Sequence, residues 1–319
     1  MRVQRRLLWL CAAAWLLCGA ALAQTPLGQV RVMIVSSDTA PAYAQAAQAL
    51  SDNLVRQGVP PAQISQSDAS ELALRLQSGQ SLRAAVFVAL GSEAAQVLLA
   101  GRVQAPVLCA LLPRGAFERL LRSTGRVMSG RLSAIYLDQP LARQLSLIRL
   151  ALPQASRLGV LWGPESSGNA RSLQVQAAAY GVSLSELALG RVENLSTGLP
   201  ELLADSDVLL ALPDPLVFNS NTIQNILLSS FRARVPMVAF SPAYVRAGAL
   251  LALYTTPEQA GQQAAEQVWQ VLQGKPLPDH PIEPNDFEVG VNAHVARSLG
   301  LTFDGISLRL ALRRLERLP

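Results

Sequence analysis

Histidine, cysteine and lysine are nearly missing from this chain, and charge of either sign is sparse. His280 and His294 are the only histidines, one in a proline-rich stretch and one in a short helical segment, so a metal centre built on imidazole lacks material. Cys11 and Cys18 fall in an apolar N-terminal segment, which leaves Cys109, inside the run from Pro106 to Leu112, to act as a buried small hydrophobe. Lys275 is the one lysine among 27 basic residues. Charged residues make up 15% of the 319 and hydrophobic ones 50%, a balance that excludes a disordered chain. The phosphate-cradling Gly-x-Gly-x-x-Gly and P-loop patterns are missing too, and no cofactor is implied. A Gly-x-Ser-x-Gly nucleophile turn is also lacking; Gly163-Pro164-Glu165-Ser166-Ser167-Gly168 comes nearest, with the wrong spacing.

What is present begins with an address. Arg2, Arg5 and Arg6 precede the apolar run from Leu7 to Leu17, and Ala21-Leu22-Ala23 places small residues where a signal peptidase reads. Residues 1–23 are therefore expected to be a cleaved secretory signal, and the mature chain a soluble periplasmic protein. The segment holds three arginines and no acid, so its removal lowers the net charge from +5 to about +2. A near-neutral chain without a basic stripe gives no argument for nucleic acid.

Short apolar runs alternate with helical patterns almost from end to end, the signature of βαβ units and a mostly parallel sheet with helices on its faces. Strands are expected at Val30 to Val35, near Ile64, and at Ala84 to Leu90, Pro106 to Leu111 and Leu132 to Leu137. A second set is expected at Leu158 to Trp162, Val182 to Leu189, Val208 to Leu212, Val235 to Phe240 and Leu250 to Tyr254. Helices are expected over 42–57, 93–100, 141–150, 170–180, 219–232 and 257–272. The rhythm restarts near Arg157, giving two similar lobes. Four prolines between Lys275 and Pro284 mark an extended crossover, followed by a strand at Phe287 to Val291 and a short helix at 292–299. The tail from Ile306 fits either a strand or a helix. It is read as a docked terminal element, or as a membrane-surface contact through Arg309, Arg313, Arg314 and Arg317.

Polar residues cluster where the apolar strands stop: Ser36-Ser37-Asp38, Gly91-Ser92-Glu93, Glu165-Ser166-Ser167, Pro213-Asp214 and Ser241-Pro242-Ala243-Tyr244. In an open α/β sheet such loops line the ligand crevice, and helix N-termini there offer free N–H groups to a carboxylate. Tyr136, Trp162, Phe218, Phe240 and Tyr244 lie at or near the same ends and would wall a small-molecule cleft. Taken singly, each serine or aspartate also reads as a helix cap and each aromatic as core.

The segments Ala134-Ile135-Tyr136-Leu137-Asp138-Gln139-Pro140, Gly159-Val160-Leu161-Trp162-Gly163-Pro164, Leu210-Ala211-Leu212-Pro213-Asp214-Pro215 and Phe240-Ser241-Pro242-Ala243-Tyr244-Val245-Arg246-Ala247-Gly248-Ala249 resemble, in order and spacing, the substrate-binding proteins of ABC transporters, in the family that includes tryptophan and tyrosine binders. The likeness runs roughly from Gln29 to Leu301. It implies a type I periplasmic binding fold: two Rossmann-like lobes with mostly parallel sheets, three crossovers, and a ligand enclosed by hinge motion. It further implies that Gly91-Ser92-Glu93-Ala94 holds the ligand carboxylate and that Asp214 pairs with an ammonium; Ser36, Ser37 and Ser166 are looser matches. Lobe boundaries follow at 28–138 plus about 243–275, and 139–242 plus about 276–303, with 304–319 as a tail. The implied function is capture of a small carboxylate-bearing ligand, an amino acid or related compound, by a monomer that delivers it to an ABC permease. A ligand-sensing subunit that signals to a membrane kinase or cyclase is the alternative, followed by a periplasmic enzyme using Glu165 or Asp214.

Overall fold

The computed structural model describes residues 31–80 and 82–316; the expected signal segment lies outside them. Runs of β-branched and aliphatic residues bounded by polar turns become the short buried strands of the sheet interiors, and more polar segments become exposed edge strands. In the first half these are β1 (Val32–Ser36), β2 (Ile64–Asp68), β3 (Val86–Leu90), β4 (Val107–Leu112) and β5 (Leu132–Tyr136). They form one wholly parallel sheet in the order β2-β1-β3-β4-β5. The second sheet contains β6 (Arg157–Trp162), β7 (Ser183–Ala188), β8 (Val208–Leu210), β9 (Met237–Ala239), β10 (Leu251–Tyr254) and β11 (Glu288–Val291), in the order β11-β10-β9-β8-β6-β7. Only β11 runs antiparallel to its neighbour there.

Helices cover both faces of each sheet, so central strands are buried on both sides. Along β1 and β3, Val32, Ile34, Val86 and Val88 face one apolar cluster, while Met33, Val35, Phe87 and Ala89 face another. That double burial explains why these strands read as continuous apolar runs rather than as alternation. The helices of the first half are α1 (Pro41–Arg56), α2 (Ala69–Gln77), α3 (Ser92–Ala100) and α4 (Arg114–Thr124). After them come α5 (Leu141–Ala151), α6 (Ala170–Ala179), α7 (Asn194–Ala204), α8 (Ile223–Arg232) and α9 (Pro242–Ala247). The chain closes with α10 (Pro257–Leu272), α11 (Ala293–Ser298) and α12 (Gly305–Glu316). Expected helices appear within a few residues of their positions. Four without a clear sequence signal, α2, α4, α7 and α9, complete the layers. Cys109 lies in β4, fully buried, and burial pushes its thiol up to about 12.

The chain passes between the sheets three times, and two of the expected boundaries move. The return to the first lobe, expected at about 243, comes after Tyr254, because α9 and β10 belong to the second sheet. The departure expected at about 276 comes near 284: Ile282 pairs with Ile135 beside β5, and the Leu277 amide donates to the Gly130 carbonyl at 2.9 Å. The crossing segments are tied together. Gln139 Nε2 donates to Thr255 Oγ1 at 2.6 Å, and Thr255 Oγ1 donates to the Asp286 carbonyl at 3.3 Å. Arg143 donates to Gln139 Oε1 at 2.7 Å and to the Pro284 carbonyl at 2.9 Å.

The tail resolves as a helix: Leu308 and Leu312, one turn apart, are buried while Leu310 is 52% exposed. Arg309 pairs with Glu288, Arg313 with Asp286, and Arg143 with Glu316; Arg143 and Arg313 also lie over the Phe287 ring, 4.7 and 5.3 Å from its centroid. Two of the four arginines of the membrane-surface reading are thus engaged in the fold. No helix among the described residues is long and apolar enough to cross a membrane.

α10 returns to the first sheet and packs on α1 through small residues. Ala46 and Ala47 meet Ala264 and Ala265, and a Cβ on Gly261 would overlap the Ala46 carbonyl oxygen. Gly261→Val should therefore force the helices apart and cost about 1–3 kcal/mol, seen as a drop of several degrees in the thermal unfolding midpoint.

Candidate functional site

A parallel sheet sends every strand's carboxyl end to one edge, and those edges carry most of the expected site residues. On the first sheet, Ser37 follows β1 and is buried. Its hydroxyl donates to the Leu90 carbonyl at 2.9 Å and accepts from the Ala94 amide at 3.0 Å. It thereby fastens the first turn of α3 to the ends of two strands. Gly91, between β3 and α3, has φ +92°, a left-handed value that favours glycine. A side chain there would also strike the Tyr43 ring at 2.7 Å. Ser92 opens α3 half-buried, with Glu93 exposed beside it; Ser36 ends β1 half-buried. The turn sets the first N–H groups of α3 beside the Ser92 hydroxyl, an arrangement of the kind that suits an anion.

Tyr43 was not expected here. Its ring covers Gly91 from α1, and burial, with the nearby Asp38 carboxylate, raises its phenol above the ordinary value. The sequence signal is faint: an aromatic residue two positions inside a helix start marked by Pro41. A second unexpected feature is Leu111, at φ +56° in a bulge where the register between β4 and β5 shifts. Strained backbone at a strand's carboxyl end is characteristic of sites rather than scaffolds.

Tyr136, expected as a cleft wall, is core instead: it ends β5 only 6% exposed, packed edge-on to Phe117 at 6.2 Å, with its phenol raised to about 12 by burial. Beside it Asp138 accepts the Arg114 amide at 2.6 Å and so caps α4 from the first crossover. Burial raises this carboxyl to about 6, and the Arg114 hydrogen bond only partly offsets that.

At the second sheet the structure divides the expected residues. Phe218, Phe240 and Tyr244 form an edge-to-face trio with centroids 5.0 to 6.3 Å apart, and the Tyr244 hydroxyl donates to the Phe218 carbonyl at 3.2 Å. Ser241 caps α9 by accepting the Ala243 amide at 3.3 Å. Phe240, Ser241 and Tyr244 stay half-buried at the strand ends, whereas Phe218 is 5% exposed and belongs to the core behind them. Trp162 turns inward as well: it is packed with Leu158, Val160 and Leu173, and its indole N–H donates to Glu186 at 2.7 Å, so it is core and not a ligand wall.

Asp214 and Ser166 are corrected as well. The Asp214 carboxylate is 3% exposed and accepts four donors: the Glu165 and Ser166 amides at 2.9 Å, the Ser166 hydroxyl at 3.0 Å and the Leu216 amide at 3.0 Å. Gly163 leaves the space its oxygens fill, and the Gly163 amide donates to Ser166 Oγ at 2.9 Å. Asp214 is therefore the post to which the 163–169 loop is tied, not a free partner for an ammonium. The motif showed an acid at a strand end, but it did not show that the neighbouring loop folds back over it.

Asp214→Ala should orphan these buried donors and cost about 3 kcal/mol or more, measured by denaturant unfolding. Asp138→Asn keeps an acceptor for the Arg114 amide and removes a group whose ionised form is disfavoured in the folded state. Between about pH 4 and pH 6 the folded wild type holds a proton that the unfolded chain has released, so this group costs stability as pH rises through that window. The variant should melt higher than wild type at pH 7.5 and alike at pH 4, by differential scanning calorimetry.

Residues 32–313 match the family model described as ABC transporter substrate binding protein. A tyrosine-binding protein of Clostridioides difficile (strain R20291) is 24% identical over 185 residues, 57% of this chain and 52% of that protein, so the match spans about half the length of that relative. Among solved structures, a ligand-free, open substrate binding protein with adhesive properties from Clostridium difficile superposes with a TM-score of 0.67 at 18% identity, over 86% of this chain and 96% of the other. A domain in complex with L-Trp from Streptococcus pneumonia gives 0.60 at 17% identity, over 86% and 95%. A conserved domain protein from Vibrio cholerae gives 0.59 at 21%, over 88% and 97%. With two α/β lobes, three crossovers and a family match over nearly all the described residues, the chain belongs to the ABC transporter substrate binding protein family.

Proposed function

We propose that this protein is an extracytoplasmic solute-binding protein that encloses a small amphipathic carboxylate between its lobes and hands it to an ABC permease, making and breaking no bond. One observation carries the reading: the two mouths differ in character. The first offers the Ser92 hydroxyl and the α3 N-terminus, in a turn braced by Ser37 and shaped by Gly91, while the second offers the half-buried aromatics Phe240 and Tyr244, backed by the buried Phe218. A ligand with a carboxylate at one end and an aromatic or aliphatic body at the other satisfies both, and only when the lobes approach. Such a ligand shifts the population toward the closed form by its differential affinity. The relatives' ligands, tyrosine and L-Trp, have this shape.

The three tied crossovers suit a hinge, since few residues connect the lobes and those few are hydrogen-bonded to one another. The test is calorimetric titration of residues 24–319, unfolded and refolded to strip carried ligand, with L-tyrosine, L-tryptophan, and their des-amino and des-carboxy analogues. Binding of the amino acids, loss with the des-carboxy analogues, and about tenfold or greater weakening by Ser92→Ala are expected, the last from removal of one hydrogen bond to a charged group. Equal binding of des-carboxy analogues would overturn the carboxylate assignment.

A further inference from the structure

The lobes touch at a point that the ligand site does not need. The first turn of α4, on the first lobe, lies against the 163–169 loop of the second. Arg119 pairs with Glu165, and Arg114 donates to Asn169 Oδ1 at 3.0 Å. Between these two polar contacts is Gly115. A Cβ built there would lie 2.6 Å from Glu165 Cβ and 2.8 Å from the Glu165 carbonyl oxygen, closer than atoms of either kind approach. The obstacle is backbone, so no side-chain rotation relieves it.

Both partners are held from behind. The loop is tied to Asp214 through the Glu165 and Ser166 amides and the Ser166 hydroxyl. The α4 turn is capped by Asp138 of the first crossover. Two fastened backbones that meet with no intervening side chain form a stop that sets how near the lobes come.

We propose that Gly115 and Glu165 form the closure contact of the two lobes, with Gly115 a positioning residue whose missing side chain permits the closed form and with Arg119 and Asn169 latching it. The proposal rests on the reading of the chain as a two-lobed solute trap. It assigns to this site a role in ligand affinity without any contact to ligand. A contact that forms whenever the lobes close, with or without solute, adds to closed-state stability whatever solute is bound and holds the ligand-free lobes nearer on average.

The position allows a clean test, because Gly115 lies within α4 and its φ is outside the left-handed range. Alanine suits such a helix better than glycine does, so Gly115→Ala has no local reason to unfold the chain. Spin labels at Gln96→Cys and Gln224→Cys, exposed positions on α3 and α8, report the distance between lobes without ligand and with L-tyrosine or L-tryptophan. In Gly115→Ala the ligand-free distances should lengthen, the unfolding midpoint should hold or rise, and affinity for whichever amino acid binds should fall about tenfold or more, as overpacking at a fixed contact requires. Arg119→Gln should move distance and affinity the same way, by less.

A lower midpoint with unchanged distances would show a permanent packing contact and overturn the proposal; so would unchanged distances and affinity together. If neither amino acid binds, the solute reading fails while the ligand-free distances still decide this one. Lengthened distances support the contact, and unchanged ones reject it.

Discussion

Parallel strand pairing is the constraint from which the rest follows. Because neighbouring strands run the same way, each sheet gathers its carboxyl ends on one edge, and each end must release the chain into a loop and a helix start. Those loops carry unpaired N–H groups, and helix dipoles place partial positive charge there. Crossovers join two such edges, and each edge presents backbone donors and whatever side chains its loops bring. The first sheet brings Ser37, Gly91 and Ser92, and the second brings Phe218, Phe240 and Tyr244.

The lobes differ in how they spend their polar groups. In the first lobe one hydroxyl, Ser37, braces a helix start and leaves the turn ahead of it open. In the second lobe a whole carboxylate, Asp214, is consumed in holding a loop. Burying a charge is tolerable only when its oxygens are satisfied, and four donors do so. The outcome is a rigid loop bearing Glu165 and Asn169, which then meets the other lobe at a fixed place. Rigidity bought in one lobe becomes geometry between the two.

Much of this was legible in the sequence. The apolar runs of β1, β3 and β6 are long because both faces of those strands are buried, and they stand out against polar turns. The resemblance carried by the segments around Asp138, Trp162, Asp214 and Tyr244 pointed to the family that the chain proved to match. What the sequence could not show was where side chains turn at a strand's last residue. Trp162 ends β6 as Tyr136 ends β5, and both rings turn into their lobes' cores, the Trp162 indole bonded there to Glu186 on the next strand. The roles of Tyr43, Gly115 and Asp214 depend on residues 48, 50 and 48 positions away, a range at which local patterns carry no information. The later crossing after Tyr254 was missed for a similar reason: the 243–254 segment reads alike whichever sheet it joins.

The one thiol among the described residues has a consequence for how they answer to redox conditions. Cys109 is sealed within β4 and held protonated, so it presents no thiolate to oxidants, to stray metal ions or to the cysteines of other proteins. Among the described residues no other thiol is present, so none of them can form a disulfide within the chain or expose a thiol to a neighbour. The integrity of this part of the chain then depends on packing alone, and a change of redox poise leaves its covalent framework as it was.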